Sequence, residues 1–430
     1  MSNTHEHAAE LEHHDGHGHD HEHAEVSGPV TFAVPGGLKK GAFGLIAVGA
    51  ILLGIGIATA GEHSAWRLWS SLLISSLFYA FVAVGAGFIV AIMHVTKAGW
   101  GAVTRRVPEA MTTYLPVALL TMLVVGGLGL HDLYEWSHPD IVAEDHLLRH
   151  KAAILNPTFY MSIVVIFIGG WWLLTTLLRK NSVAQDSDGD VKHTGKNVVT
   201  SVLFLIFFGL SITIGSLVWL MSVEPHWFST MFGVYQFAGA HKAAAAAGTL
   251  ILVYLSNNGH NKYLKPDHLH DWGKMMFAFS TFWAYIWVSQ FLLIWYANIP
   301  EETGYFLLRQ EPSWMALFAL NVILNWVIPF FTLLPRPNKR NPAILVPVAI
   351  VVLLGFWLDL YLQVMPATSH FAAEHLKLEH LHGPFMGALE IGPMALLGGV
   401  FLLIVPAMMA KVSLVPVKDP YLQESLHHQQ

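Results

Sequence analysis

Two adjacent residues with side chains that can bind and release a proton lie in an apolar part of the sequence. His241 and Lys242 lie within the run AGAHKAAAAAGT, residues 238–249, in which every other residue is small. A lysine taken out of water must be paired, hydrated or neutral, and a neutral lysine can accept and release a proton near neutral pH. A histidine titrates in that range without perturbation. The pair predicts a proton relay, and the competing interpretation is that Lys242 stays charged and bridges a carboxylate for packing.

Further polar side chains recur at helical spacing in the neighbouring apolar segments. The rise of an α-helix brings Tyr285 to the depth of Lys242. Serine, threonine, asparagine and tyrosine in such helices often serve only to join helices, whereas ionisable residues there are functional hypotheses by default. The predicted proton-pathway residues are Tyr235, His241, Lys242, Thr281, Tyr285, Ser289, Asn325, Asp359 and Glu390.

The composition indicates that these residues lie in membrane-spanning helices. The 430-residue chain is 54% hydrophobic and 12% charged, whereas charged residues make up about 25% of a soluble domain. A helix needs about 20 apolar residues to cross a bilayer. Ten segments satisfy that requirement, namely 41–60, 68–94, 110–130, 156–178, 198–221, 227–255, 272–297, 314–334, 342–365 and 386–410.

The basic residues predict how these spans are oriented. With a cytoplasmic N-terminus, 17 lysines and arginines fall in cytoplasmic segments and 5 in the opposite loops, as the positive-inside bias requires. We therefore expect a multi-pass protein of the bacterial inner membrane with both termini in the cytoplasm. Residues 1–38 form a predicted disordered, histidine-rich tail, 39–410 the membrane domain and 411–430 a cytoplasmic tail.

Composition also excludes several function classes. A net charge of −6 provides no basic surface for nucleic acid. The absence of cysteine excludes thiolate-held iron–sulfur clusters. Only His94 and His241 lie in the spans, and His94 is peripheral, so a haem held by two histidines is not expected. We predict no catalytic residue, no metal site and no covalent cofactor in this chain.

Three stretches carry a family resemblance. KAAILNPTFYMSIVVIFIGGWWLL (151–174), SLVWLMSVEPHWFSTMFGVYQFAG (216–239) and DHLHDWGKMMFAFSTFWAYIWVSQFLLIWYANIPEET (267–303) resemble the NrfD-like, polysulfide-reductase C-type membrane subunits of bacterial alternative complex III. That complex oxidises quinol and reduces an electron acceptor. Of its two such subunits, the histidine-rich tail and shorter chain resemble the second quinone-binding-type subunit.

The resemblance implies an architecture and a set of partners. The fold would be all-α, with two four-helix bundles, helices 2–5 and 6–9, flanked by helices 1 and 10. The chain would carry no redox centre. Its partners would be haem c subunits, an iron–sulfur or molybdopterin-like subunit, the sister NrfD-like subunit, membrane lipid, and menaquinol or another quinol.

The resemblance also places a quinol site near the outer end of the first bundle. The candidates are His131, Asp132 and Glu135 in GLHDLYEW, because a histidine–carboxylate pair can accept the hydroxyl protons. Met161 and Ser162 stand where many quinol-binding relatives are expected to carry an arginine, which favours proton conduction or scaffolding over quinol binding. The expected function is a membrane subunit of a respiratory quinol:electron-acceptor oxidoreductase that carries no redox centre, with a quinone-binding-type first bundle and a proton-conducting second bundle. The alternative is a purely structural anchor for peripheral redox subunits, and whether the chain is itself an enzyme stays open.

Overall fold

The computed structural model describes Val26 and residues 28–61, 64–377 and 383–429. This part of the chain is helical, without β-strands, and contains ten helices long and apolar enough to cross a membrane, as predicted. They are α1 (Gly36–Thr59), α2 (Ala65–Val95), α3 (Arg106–Leu128), α4 (Pro157–Asp188), α5 (Lys192–Val223), α6 (Phe232–Asn257), α7 (Pro266–Ala297), α8 (Pro312–Leu333), α9 (Pro342–His375) and α10 (Ala388–Met409).

Several helices extend beyond the apolar segments that predicted them. α4 continues through the polar residues 179–188 and ends where Gly189 adopts a left-handed conformation, with φ of +72°; glycine reaches that conformation without steric cost. α1 begins at Gly36, within the stretch predicted to be a disordered tail. The eight histidines of that predicted tail lie outside the described residues.

The two ends of the described chain meet on one side of the molecule. The Leu414 amide donates to the Val30 carbonyl at 2.9 Å. Residues 411–429 lie against the α2–α3 and α6–α7 connections; the Ser425 hydroxyl, for example, donates to the Trp100 carbonyl at 2.7 Å. We call this side the inner end and the opposite side the outer end.

Two nearly fully buried helices, α2 and α6, form the centre of the helix packing. α2 packs against α5, α6, α9 and α10, and α6 packs against α2, α5, α7 and α9. Small residues allow the two backbones to approach, since a β-carbon on Gly85 would lie 2.5 Å from the Ala240 carbonyl oxygen. By contrast, α1 lies at the periphery and packs mainly on α10.

Two helices contain a short π-helical turn, at Val164–Ile168 in α4 and at Ile323–Val327 in α8. The turn in α8 has an identifiable cause. Pro329 has no N–H to donate to the carbonyl of Asn325 four residues earlier, and its ring crowds that carbonyl, so the helix widens there. Asn325 therefore lies at an irregular turn in the middle of a long helix.

Candidate functional site

Lys242 is completely buried among α6, α7 and α8. Its exposed fraction is 0%, and its ammonium group donates a 2.5 Å hydrogen bond to the Asn325 side-chain oxygen. The ammonium also lies 4.1 Å from the centre of the Trp283 ring, an arrangement in which the ring face attracts the cation. Lys242 thus forms no direct ion pair with a carboxylate of the described residues.

The carboxylate that faces Lys242 through intervening groups belongs to Asp359 of α9. Asp359 is buried, with 2% exposure. Four side chains on four helices donate hydrogen bonds to its two oxygens, a number that can stabilise a buried anion. The donors are Tyr235 of α6, Trp283 of α7 at 3.2 Å, Asn321 of α8 at 3.0 Å and Gln363 of α9 at 3.2 Å.

Two asparagines of α8 join the lysine to the aspartate. The Asn325 amide donates to the side-chain oxygen of Asn321 at 2.6 Å and to the Gly355 carbonyl at 2.9 Å. Asn321 in turn donates to Asp359. Every link from Lys242 to Asp359 runs from donor to acceptor in one direction, so the chain aligns its dipoles between the cation and the anion. We call these four residues with Tyr235, Trp283 and Gln363 the central polar cluster.

The tight fit around Asn325 depends on Gly355 of α9. A β-carbon at Gly355 would lie 2.9 Å from the Asn325 side-chain oxygen, closer than real β-carbons approach. Asn325 lies within the π-helical turn of α8, and the glycine provides space for its side chain against α9. The sequence signal for this arrangement is a proline four residues after an asparagine within an apolar segment, Pro329 after Asn325.

The structure brings together four of the nine predicted pathway residues: Tyr235, Lys242, Asn325 and Asp359. It does not join the polar stripe of α7 to them. Tyr285 is 66% exposed on the outer surface of that helix, the Thr281 hydroxyl donates to its own helix at Phe277, and Ser289 is half-buried. Trp283, which the sequence interpretation overlooked, faces the cluster instead.

His241 and Glu390 also lie outside the central polar cluster. The His241 ring packs against Phe279, with 3.8 Å between ring centres, and its two nitrogens make no hydrogen bond within the described residues. Glu390 accepts two hydrogen bonds from Arg67, at 2.9 and 3.1 Å, and so joins α10 to α2.

The three quinol-site candidates divide between two cavities. His131 and Asp132 line a cavity of about 90 Å³ together with Trp66 and His375. Burial raises the pKa of Asp132, although the two nearby histidines oppose that shift. Glu135 lines a separate, larger cavity, and burial raises its pKa too. The smaller cavity is below the roughly 300–1,000 Å³ of typical ligand sites.

The larger cavity, about 600 Å³ in volume, opens at the outer end and is rich in titratable groups. We call it the outer acidic cavity. The histidine and carboxylate residues that line it are Glu135, Asp145, Glu224, His226, Glu301, His370, Glu374 and His375. The His226 ring and the Asp145 carboxylate form a 2.5 Å hydrogen bond, which lowers the pKa of Asp145.

A buried arginine lies between the outer acidic cavity and the central polar cluster. Arg309 pairs with Glu224 of the cavity wall at 2.5 Å. It also donates to the Leu362 carbonyl at 2.8 Å and to the Gln363 carbonyl at 3.0 Å. Gln363 is the residue whose side chain donates to Asp359. Nothing in the sequence next to Arg309 reveals these partners, which lie 53 and more residues away along the chain.

A buried charged group also lies at the inner end, and the sequence interpretation used its arginines only for orientation. Arg106 donates to Glu109 at 2.9 Å and to the Ser182 hydroxyl at 3.0 Å. Its neighbour Arg105 forms an ion pair with Asp419 of the C-terminal segment. These contacts join α3 to α4 and to the segment after α10.

No protein-family model matches this chain, and no curated protein is significantly similar to it.

Proposed function

We propose that this chain is a membrane subunit of a respiratory quinol:electron-acceptor oxidoreductase of the alternative complex III type, and that its second half conducts protons. The complex assignment rests on the three quoted stretches. The observation that carries the proton assignment is the hydrogen-bonded connection between Lys242 and Asp359, two ionisable residues with 0% and 2% exposure among membrane-type helices. Ionisable groups at such positions are costly and typically functional.

The proposed arrangement is two four-helix bundles, α2–α5 and α6–α9, with α1 and α10 outside them. Contacts of α5 with α4 and of α6 with α7 support it, as does the pairing of α1 with α10. Haem and iron–sulfur centres would belong to partner subunits at the outer end. Quinol oxidation at His131 and Asp132 stays a prediction, and the cavity beside them would have to widen to admit a quinol ring.

The central polar cluster supports a two-site scheme for proton transfer. Lys242 takes up a proton as a neutral amine, and Asp359 takes up a proton as a carboxylate. Amide N–H groups do not readily exchange protons, so Asn325 and Asn321 hold and couple the two charges instead of passing the proton along. Transfer between the two sites then requires water or a rotation of the Lys242 side chain.

The outer acidic cavity is the proposed exit for these protons. The permanent charge of Arg309 lies between Asp359 and Glu224, where it favours an anionic Asp359 and repels a free cation. A proton released from Asp359 would reach Glu224 through water, and its arrival would neutralise Glu224 and release Arg309 from its ion pair. The cavity carboxylates and histidines would then deliver the proton to the outer solution.

Paired substitutions test proton conduction. Lys242→Met and Asp359→Asn each leave one buried charge without its counterpart, whereas the double variant removes both charges. We expect the double variant to assemble and to move protons at least about tenfold more slowly. The measurement is proton uptake by proteoliposomes holding the purified assembly, driven by an imposed potassium diffusion potential. Tyr285→Phe is the control, because it removes an exposed hydroxyl from α7 outside the cluster.

The same experiment separates the rival functions. If the double variant assembles normally and its proton flux equals that of the unmodified protein, conduction through this cluster is ruled out. That outcome is the one expected of a purely structural anchor. The complex assignment is tested independently by purifying the chain from its native membrane. If haem-containing and iron–sulfur-containing subunits do not purify with it, that assignment is wrong whatever the proton measurement shows.

A further inference from the structure

A second large cavity, distinct in character from the outer acidic cavity, lies at the outer ends of α5 and of the segment that leads into α4. Its volume is about 710 Å³, within the range of ligand sites. We call it the outer apolar cavity. Its apolar wall is formed mainly by Leu147, Ile154, Leu155, Leu217, Val218 and Met221.

Two residues that line this cavity carry hydrogen-bond donors with unused capacity, and one of them, Trp227, lies between this cavity and the outer acidic cavity and lines both. Lys151 is half-buried and donates one of its three protons to the Pro225 carbonyl at 2.6 Å. Trp227 is 4% exposed and stacks on Tyr305, with 4.0 Å between ring centres. Its indole N–H has no acceptor within the described residues. A buried N–H without an acceptor is unfavourable, so these donors suit a ligand rich in acceptor oxygens.

The apolar wall continues along α5 toward the middle of the helix. Leu210, Ile214, Leu217 and Met221 recur at three- and four-residue spacing and therefore share one face. Leu210 is 64% exposed and Ile214 38% exposed. From Met221 to Leu210 this face runs about 17 Å along the helix, which suits an extended acyl chain.

We propose that the outer apolar cavity binds a glycerophospholipid with an ethanolamine head. The phosphate accepts hydrogen bonds from Lys151 and Trp227, and one acyl chain lies along the exposed face of α5. Glu301 also lines this cavity, so a head that carries an ammonium group fits better than a purely anionic one. This inference depends on a membrane location and is independent of the proposed complex.

Photo-crosslinking tests the lipid site. The full-length protein is placed in nanodiscs that contain a trace of phosphatidylethanolamine with a diazirine in its acyl chain, and the labelled peptides are mapped by mass spectrometry. We expect labelling concentrated on residues 147–155 and 210–228. Trp227→Phe preserves the ring stack but removes the N–H, and we expect it to lower that labelling several-fold. Lys151→Gln should lower it by about tenfold, as expected for loss of a charge-assisted bond.

Lys97→Gln, at an exposed inner position, is the matched control and should leave the labelling unchanged. Even labelling of all exposed helix faces, or unchanged labelling in Trp227→Phe, would show that the cavity holds no specific lipid. Displacement of the probe by a soluble quinone analogue but not by unlabelled phosphatidylethanolamine would assign the cavity to quinone and overturn the proposal. Displacement by phosphatidylglycerol at the same concentration would contradict the choice of head group.

Discussion

At the scale of single residues, the central polar cluster shows how a membrane-type fold accommodates a buried lysine and a buried aspartate that do not touch. Asp359 accepts hydrogen bonds from side chains on four helices. Lys242 contacts only the Asn325 side-chain oxygen and the face of the Trp283 ring among the polar and aromatic groups described above. Removing one charge leaves the other uncompensated, which is strongly destabilising in a buried site. Removing both leaves neutral polar groups that can still bond to one another.

Trp283 contacts both ionisable residues: its N–H donates to Asp359 and its ring lies against Lys242. A substitution that keeps the ring but removes the N–H therefore measures the hydrogen bond alone. Trp283→Phe keeps an aromatic face under Lys242 but removes the N–H that donates to Asp359 at 3.2 Å. We expect the free energy of unfolding to fall by about 1.5–3 kcal/mol, the range for hydrogen bonds to charged groups. Thermal unfolding of the purified protein in detergent measures it.

Trp295→Phe is the matched control, since Trp295 belongs to the same helix and is 66% exposed. Equal shifts in the two variants would mean that the Trp283 hydrogen bond makes no specific contribution to the cluster.

At the scale of helices, local irregularities and close approaches determine which side chains meet. Asn325 lies in the π-helical turn of α8, and Gly355 of α9 provides the space that Asn325 occupies. Between α1 and α10, small residues allow the close contact. α1 and α10 approach so closely that a β-carbon on Gly392 would lie 2.8 Å from the Leu53 backbone nitrogen.

The α1–α10 contact leads to a prediction about glycine. A side chain at Gly49 would meet the backbone of Leu396 in α10, whereas one at Gly54 would meet nothing within 4 Å. Gly49→Val should therefore destabilise the protein by at least about 2 kcal/mol, because a backbone cannot move aside as a flexible side chain can. Gly54→Val changes helix propensity equally and should have little effect. Similar melting temperatures for the two variants would show that α1 is not held by this contact.

At the scale of the whole molecule, the described termini meet at the inner end and the titratable cavity lies at the outer end. The 17 basic residues predicted to be cytoplasmic include Arg105 and Lys265, which contact the C-terminal segment at Asp419 and Leu426. The outer acidic cavity is lined instead by carboxylates and histidines. The predicted orientation would place this cavity, the proposed proton exit, away from the cytoplasm.

Labelling of single introduced cysteines tests that orientation. The chain contains no cysteine of its own that could react. We expect Asp140→Cys, at an exposed outer position, to react with a membrane-impermeant maleimide in intact cells whose outer membrane has been opened. Lys97→Cys, at an exposed inner position, should react only after the inner membrane is disrupted. The labelling is read by a gel shift, and the reverse pattern would invert the predicted topology and move the proton exit to the cytoplasm.

The sequence by itself determined the ten long helices and marked Lys242 and Asp359, because apolar length and buried charge are local properties that composition reveals. It did not determine which face of α7 turns inward. Thr281 and Tyr285 differ from Trp283 by only two residues, about half a helical turn, and only packing against α6 and α9 selected the tryptophan. Nor did it show that Glu135 belongs to a different cavity from His131, or that Glu390 pairs with Arg67, 323 residues away. Helical periodicity defines which residues share a face, whereas the partner of each face depends on the simultaneous packing of several helices, and that is decided only in the tertiary structure.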